Sequence, residues 1–297
     1  MAVGKRADNM LGRVDKSIKI YSPALTPKFS DEKLLRAMLK MFLAKVSDQV
    51  YFFSPTVVVA LSDSFYPSMK EVLLRVLTEI GAGEVIMIDQ SLAAVLGSGA
   101  PLSDALGIFV LQMGEGVVEA SALSLGKVVA TQQSYKAGNR LIDELIYWFA
   151  TNQKLTISQT IARQFLMTVG SFAPDTKRSM NVTGLDVKTG EPLEKIVFSH
   201  ELVDFFNEYG LEYVNLVKKL LSNISPDLTI DILDKGLLLS GGLANIHGIE
   251  EYLTKELRVP TFVVDDPNLA VIKGVGEIID HLDEFKQGYG YRPIDSD

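Results

Sequence analysis

Residues 237–248 read LLLSGGLANIHG, an apolar run followed at once by two glycines. The run predicts a buried strand over 236–240, and Gly241 and Gly242 predict a tight turn into a helix that begins near Ile246. Because glycine has no side chain, the backbone of such a turn can approach a ligand closely, and the start of the helix offers unpaired N–H groups. The stretch therefore favours a ligand-binding turn, with tight packing alone as the competing interpretation.

A second glycine-rich turn lies upstream. Residues 111–126 read LQMGEGVVEASALSLG and fall among three predicted strands, at 108–111, 117–123 and 127–132. Short strands separated by glycines are typical of an antiparallel meander with tight turns. We therefore expect a new sheet here, with a second lobe of the protein beginning near residue 105.

The first hundred residues alternate between helical and strand patterns. This alternation predicts parallel strands joined by crossover helices. In open sheets of this kind, ligands bind beyond the carboxyl ends of the strands. The predicted elements are a helix over 31–46 behind a Ser30 cap, a strand over 56–61, a helix over 68–80, a strand over 84–88 and a helix from Ser91. Later elements are helices over 138–149, 158–169 and 199–224, a polar β-rich segment over 179–196, a strand over 261–264 and a last helix from Asn268.

The order of these pieces resembles that of the ATPase superfamily of actin, sugar kinases and heat-shock chaperones. The stretch 237–248 looks like the adenosine motif of that superfamily, and 111–119 looks like its second phosphate hairpin. The resemblance implies an α/β, actin-like ATPase fold with two lobes, each holding a mixed sheet flanked by helices, with small subdomains and an incomplete first lobe. Within the superfamily the chain is similar to the MreB family over nearly its whole length, in residues and spacing at 2–13, 88–99, 182–193 and 230–276.

The resemblance also implies a division of the chain into subdomains. In the first lobe we expect a remnant of the small subdomain at residues 1–45 and a core at residues 46–104, joined by the helix 268–286. In the second lobe we expect a core made of residues 105–138 and 225–267 and a small subdomain at residues 139–224. Residues 287–297 would be a flexible tail.

A nucleotide site that binds ATP and Mg²⁺ is implied by the same resemblance. Its binding residues in this sequence would be Gly114, Glu115, Gly116, Val117, Gly138, Gly241, Gly242, Leu243, Ala244 and Asn245.

Several positions on the phosphate side depart from the family pattern. The metal-facing Asp of the family falls on Gln112, its middle glycine on Glu115, and its two threonines on Val117 and Val118. A neutral amide is a poorer partner for hydrated Mg²⁺ than a carboxylate, and a carboxylate at Glu115 would repel a triphosphate. Both changes are expected to weaken the binding of ATP.

The family's first phosphate loop precedes the part that resembles residues 2–7. Since the sequence starts after that loop, we expect half of the phosphate clamp to be missing. A genuinely short protein and a misassigned start codon are the two explanations left open.

The adenine side and the hydrolytic position are altered as well. The Glu and Lys of the family's adenine-contacting helix fall on Arg163 and Leu166, which would be degraded adenine contacts. The family's water-orienting Glu falls on Asp89, one methylene shorter, and a loss of reach of about an ångström can cost ~100-fold in rate. Asp89 is the one catalytic candidate, and a helix-capping role for it is an equal alternative. We therefore expect a weak or inactive ATPase.

Composition narrows the remaining functions. The net charge of −8 and the lack of a basic run disfavour nucleic-acid binding, and the absence of cysteine excludes thiol chemistry and fits the cytoplasm. His200, His247 and His281 lack the spacing of metal ligands, so no metal site is predicted from them. No apolar run approaches the ~20 residues that cross a bilayer, so any membrane role would be peripheral.

Three aromatics in a row, Tyr51, Phe52 and Phe53, occupy a predicted loop before the strand at 56–61. MreB-like proteins dip an apolar loop into the bilayer at this place, and three rings could bury a few hundred Å², or several kcal/mol at ~25 cal/mol per Å². Inward packing at the start of the strand is the equal alternative.

The leading hypothesis from the resemblance is a cytoskeletal protein that forms membrane-bound filaments with itself or homologous subunits. Such filaments would determine cell shape and guide cell-wall synthesis with elongation proteins at the inner membrane surface. The alternatives are an active ATPase of the same superfamily and a non-polymerising actin-like scaffold.

Overall fold

The computed structural model describes residues 2–8, 10, 15, 17–21, 31–46, 54–63, 67–100, 107–174 and 176–288. Its helices are α1 Lys5–Asp8, α2 Glu32–Val46, α3 Pro67–Glu79, α4 Gln90–Gly97, α5 Gly138–Trp148, α6 Gln159–Thr168, α7 Val203–Leu221, α8 Pro226–Lys235, α9 Ile249–Leu257, α10 Ala270–Asp280 and α11 Leu282–Gly288. Its strands are β1 Thr56–Leu61, β2 Glu84–Asp89, β3 Ile108–Met113, β4 Val118–Ser124, β5 Lys127–Ser134, β6 Leu155–Thr156, β7 Ser179–Asp186, β8 Pro192–Phe198, β9 Leu237–Ser240 and β10 Thr261–Val263.

The described strands form three sheets. A five-stranded mixed sheet has the order β10-β9-β3-β4-β5, in which β3, β4 and β5 are the predicted antiparallel meander and β3, β9 and β10 run parallel. Strands β1 and β2 pair in parallel, with α3 as the crossover helix predicted between them. A third, antiparallel sheet has the order β6-β7-β8.

Several local predictions are wrong in detail. The cap of α2 is the carboxylate of Asp31, which accepts the backbone N–H of Lys33 at 2.8 Å, while Ser30 lies outside the described residues. The helix predicted from Ile246 begins at Ile249, because the 3₁₀ turn Gly242–Asn245 comes first.

Helix α8 was not predicted. Ser225 caps it by accepting the N–H of Leu228 at 3.3 Å, and Pro226 stands at its first position. Ser-Pro before an apolar pattern is a typical helix start, and this signal would have located α8.

Hydrophobic packing follows the sheets. The largest buried cluster lies between the five-stranded sheet and helices α5, α6, α7 and α9, and includes Phe109, Leu145, Phe165 and Tyr213. A second cluster joins β2, α4 and α10 to β3, through residues such as Ile86 and Val275. Helix α10 therefore packs back onto the unit that holds β1 and β2. The subdomain boundaries given above stay a prediction.

Helices α4 and α10 cross at two glycines. A Cβ added to Gly97 would lie 1.9 Å from the carbonyl oxygen of Ala270, and one added to Gly274 would lie 1.8 Å from that of Ala93. Only glycine fits such a backbone approach, since real Cβ contacts are never this short. This crossing fixes the position of α4, whose first residues, Gln90 and Ser91, donate hydrogen bonds to Glu119 on β4.

Candidate functional site

The β3–β4 hairpin ends in a tight turn that rests on the start of α5. The N–H of Gly114 donates to the carbonyl oxygen of Val117 at 3.1 Å, which closes the turn. The carbonyl oxygens of Gly114 and Glu115 accept the N–H groups of Gly138 at 3.1 Å and Asn139 at 2.8 Å. Two N–H groups at the start of α5 are therefore satisfied by the hairpin itself.

The predicted turn after β9 lies against the same hairpin. Gly241 has φ 92°, and a Cβ there would lie 2.4 Å from the carbonyl oxygen of Met113. A Cβ on Gly138 would lie 3.2 Å from the Cα of Glu115 and 3.4 Å from Leu243. The structure thus brings together the hairpin turn, the start of α5 and the 3₁₀ turn Gly242–Asn245, and we call this surface, with Arg163, the candidate site.

Exposure varies along the 3₁₀ turn. Gly242 is exposed, and a side chain there would meet nothing within 4 Å. Leu243 and Ala244 are buried, whereas Asn245 is exposed and its side-chain amide donates to the carbonyl oxygen of Gly242 at 3.2 Å. Open space therefore lies over Gly242, on the side where the resemblance expects adenosine.

The two predicted adenine-side residues point to different places. Leu166 is buried in the main core, where it packs with Ala162 and Phe165 along the inner face of α6. Arg163 lies on the other side of that helix, and its guanidinium donates to the Glu115 carboxylate with 2.6 Å between Nη2 and Oε1. The sequence named both Glu115 and Arg163 but did not predict that they form an ion pair.

A buried carboxylate, Glu119, lies four residues beyond Glu115 on β4 and is 1% exposed. Its Oε2 accepts the hydroxyl of Ser62 at 2.5 Å and the N–H of Asp63 at 3.0 Å. Its Oε1 accepts the hydroxyl of Ser91 at 3.0 Å and the amide of Gln90 at 3.4 Å. These five residues are called the Glu119 cluster, and they tie the five-stranded sheet to the ends of β1 and β2.

The donors of the Glu119 cluster were missed by the sequence reasoning. Ser62 directly follows β1, and Gln90 and Ser91 directly follow β2. Because β1 and β2 are parallel neighbours, polar residues after their carboxyl ends come together at one edge. That rule, applied to these positions, would have found them.

Burial raises the pKa of Glu119, and the hydrogen bonds from Ser62, Ser91, Gln90 and the Asp63 N–H oppose the rise. Neutralisation is favoured for a carboxylate moved out of water, while donors favour the charged form.

Asp89 ends β2, at the position before the first residue of α4. Its side chain makes no capping hydrogen bond, so the capping interpretation is wrong. Burial raises the pKa of Asp89, a nearby Lys70 opposes this, and Asp63 adds to it. The role of Asp89 as the catalytic candidate stays a prediction.

Gln112 stands directly opposite Glu119 in the β3–β4 register and opposite Ser240 in the β3–β9 register. It is 8% exposed, and its Oε1 has no hydrogen-bond partner. Over the part of the chain that the structure describes, no group of three or more His, Cys, Asp or Glu side chains is placed to hold a metal ion.

Two further predictions concern membranes. Tyr51, Phe52 and Phe53 lie outside the described residues. In the described ranges, no helix has the length and apolar character needed to cross a membrane.

Comparison with known proteins identifies the architecture. A family model described as MreB/Mbl protein matches residues 1–287. The cell shape-determining protein Mbl of Bacillus cereus is 27% identical over 285 residues, covering 95% of this chain and 85% of that protein. The cell shape-determining protein MreB of Escherichia coli K12 is 28% identical over 284 residues, covering 95% and 82%.

Solved structures agree. MreB 5 of Spiroplasma citri bound to AMPPNP superposes with a TM-score of 0.91 at 25% identity, over 97% of this chain and 86% of that one. The MamK double helical filament has a TM-score of 0.76 at 16% identity, over 94% and 85%. The fold and its glycine turns define an actin-like protein of the cytoskeletal class. The chain belongs to the MreB/Mbl family, as the residues had indicated.

Proposed function

We propose that this protein is a filament subunit that helps to determine cell shape and to guide cell-wall synthesis, and that its ATP site is degraded. The observation that carries the first part is the family match over residues 1–287 together with relatives named cell shape-determining proteins. The actin-like relative MamK forms a double helical filament, which supports assembly of this chain with itself or with homologous subunits. Open filaments need head-to-tail surfaces of this heterologous kind.

The adenosine half of the candidate site suits a nucleotide. Space is open over Gly242, and Gly241 and Gly138 allow backbone elements to approach closely. Family members from Spiroplasma citri have been solved with AMPPNP and with ADP, so ATP is the ligand that the family implies.

The phosphate half does not suit Mg²⁺-ATP. Glu115 places a carboxylate at the hairpin turn, and Gln112 offers a neutral oxygen where the family has an acid. The two N–H groups at the start of α5 already donate to the hairpin. A phosphate would therefore meet repulsion and find those donors occupied.

Sedimentation and negative-stain electron microscopy of the purified chain test this proposal. We expect equal amounts of filament with Mg²⁺-ATP, with ADP, and after removal of nucleotide by apyrase. Filaments that form only with ATP would overturn the degraded site. A chain that forms no filament in any condition, alone or mixed with a homologous subunit, would support the non-polymerising scaffold instead.

A peripheral location in the cytoplasm, at the inner face of the cell membrane, belongs to the same proposal. It rests on Tyr51, Phe52 and Phe53 and is tested by co-sedimentation with phosphatidylglycerol and phosphatidylethanolamine vesicles. Replacing the three rings with serine should abolish binding. Serine at three exposed apolar residues elsewhere, Ile230, Leu233 and Phe262, is the matched control and should not. Equal binding by both triple variants would refute the membrane loop.

An active ATPase is the second candidate, because Asp89 is half-buried with a raised pKa at the end of β2. If Asp89 acts as the base, Asp89→Asn should lower phosphate release by ~100-fold or more, as removal of a general base does. Phosphate release that is indistinguishable from a no-protein blank in both proteins would exclude this candidate.

A further inference from the structure

The Glu115–Arg163 ion pair joins two elements of the candidate site. Glu115 lies at the hairpin turn, Arg163 on α6, and 48 residues separate them in the chain. The two side chains are 43% and 46% exposed, so solvent and small ligands can reach the pair. An exposed ion pair is weak, because water and salt compete with it.

Arg163 is well placed to bind an anion. Its neighbours Ala162 and Phe165 face the core and leave its guanidinium on the opposite side of α6, toward the hairpin. The planar guanidinium matches carboxylate and phosphate oxygens with paired N–H donors. Arg163 therefore presents a phosphate-binding type of side chain beside the hairpin turn.

We infer that Arg163 is the anion-binding residue of the candidate site, that its ligand is the polyphosphate of a nucleotide, and that Glu115 is a built-in competitor for it. The inference rests on the proposed loss of the ordinary phosphate clamp. Glu115 occupies an Nη2 donor of Arg163 and places its own negative charge beside the guanidinium. A polyphosphate must displace Glu115 before it can bind.

Opposite effects of the two residues distinguish this role from a structural one. Glu115→Gln frees Arg163 and removes the repelling charge, so affinity for a fluorescent ATP analogue should rise by about 10-fold. Adding Arg163→Gln to that variant should remove the gain. A purely structural pair would respond equally to loss of either partner.

Competition separates the phosphates from the nucleoside. Tripolyphosphate should displace the analogue from the Glu115→Gln variant about 10-fold better than from the wild type, whereas adenosine should compete equally with both. The control is Asp266→Asn, which breaks another exposed ion pair, with Lys273 at 2.7 Å, and should leave affinity unchanged.

Unchanged affinity in Glu115→Gln, or a gain retained in the double variant, would overturn the inference. Circular dichroism confirms that each variant is folded, and Glu115→Gly, which restores the family glycine, serves as a second variant with the same expected gain. Tight binding by the wild type would reject the degraded site alone, since the differences between variants still decide the role of Arg163.

Discussion

Glu115 and Glu119 lie four residues apart in one hairpin and have opposite surroundings. Glu119 is buried and accepts four hydrogen bonds from residues that follow β1 and β2. Glu115 is 43% exposed and meets one guanidinium. The comparison shows that burial decides which carboxylate holds the fold together, because an unpaired polar group costs much more inside the protein than in water.

Replacement of Glu119 is the strongest way to break the comparison. Glu119→Leu removes the carboxylate that accepts hydrogen bonds from Ser62, Asp63, Gln90 and Ser91, although the Ser91 hydroxyl keeps its contact with Ser121 at 2.7 Å. We expect the free energy of unfolding to fall by about 3–5 kcal/mol, because each hydrogen bond to a charged group contributes about 1.5–3 kcal/mol. Urea denaturation measures it, and Glu115→Leu is the matched control with a change below about 1 kcal/mol. Equal losses in both variants would contradict the comparison.

The buried half of the comparison also depends on α4, which carries Ser91. Gly274→Ala forces a methyl group against the Ala93 carbonyl oxygen and should push α4 and α10 apart. We expect a loss of about 2–3 kcal/mol, since overpacking outweighs the helix propensity gained from alanine.

Gly276→Ala is the control for that crossing, because a Cβ at Gly276 meets nothing within 4 Å. On the same helix it should stabilise the protein by up to about 1 kcal/mol. Thermal unfolding of the two variants side by side gives the answer, and a destabilised Gly276→Ala would show that the crossing is not the cause.

The pH dependence of the unfolding free energy tests how the ionisation of the buried Glu119 affects stability. The folded-state pKa of Glu119 lies above the ordinary value of 4.5, so the folded protein binds this proton more tightly than the unfolded chain. The stability from Glu119 is therefore complete below pH 4.5 and is lost as the pH rises through the raised pKa. The glutamine of Glu119→Gln cannot ionise. The difference in unfolding free energy between wild type and variant should therefore shrink or change sign as the pH increases through the raised pKa of Glu119.

Asp186 provides the opposite case for the pH profile. Hydrogen bonds from the N–H groups of Thr189 and Lys188 lower its pKa below the ordinary value of 3.8. The contribution of Asp186 to the stability of the protein is therefore present above pH 3.8 and is lost as the pH falls through the lowered pKa. Asp186→Asn should therefore change the pH dependence of the unfolding free energy only at acid pH. A pH-dependent change of the same sign as that caused by Glu119→Gln would contradict the lowered pKa of Asp186.

The smallest effect on the free energy of unfolding is expected for the exposed carboxylate, Glu115. Glu115→Gln should change the free energy of unfolding by less than about 1 kcal/mol, and added salt should reduce the change further. Urea denaturation at low and high salt measures this. A loss above 2 kcal/mol at any salt concentration would mean that the ion pair stabilises the fold and is not merely a competitor at the site.

Local patterns predicted much of the fold correctly. The strand Thr56–Leu61 and the β3–β4–β5 meander follow from apolar runs and glycine turns, which report on contacts within a few residues. Helix α8 was missed because Pro226 was interpreted as part of a connection and not as the first residue of a helix, and α9 was placed too early because the 3₁₀ turn extends the glycine turn. At the candidate site the sequence indicated Glu115 and Arg163 as residues of interest, but not that their side chains contact each other.

By itself the sequence determined the family, the order of the elements and the positions of both glycine turns, because each is written in residues that lie close together along the chain. Only the tertiary structure decided that Arg163 meets Glu115, 48 residues away, and that Ser62 meets Glu119, 57 residues away. It also decided that Gly97 and Gly274 let two helices touch. Such partners come from elements whose separation is set by packing of the sheets, and periodicity along one segment contains no information about a distant one.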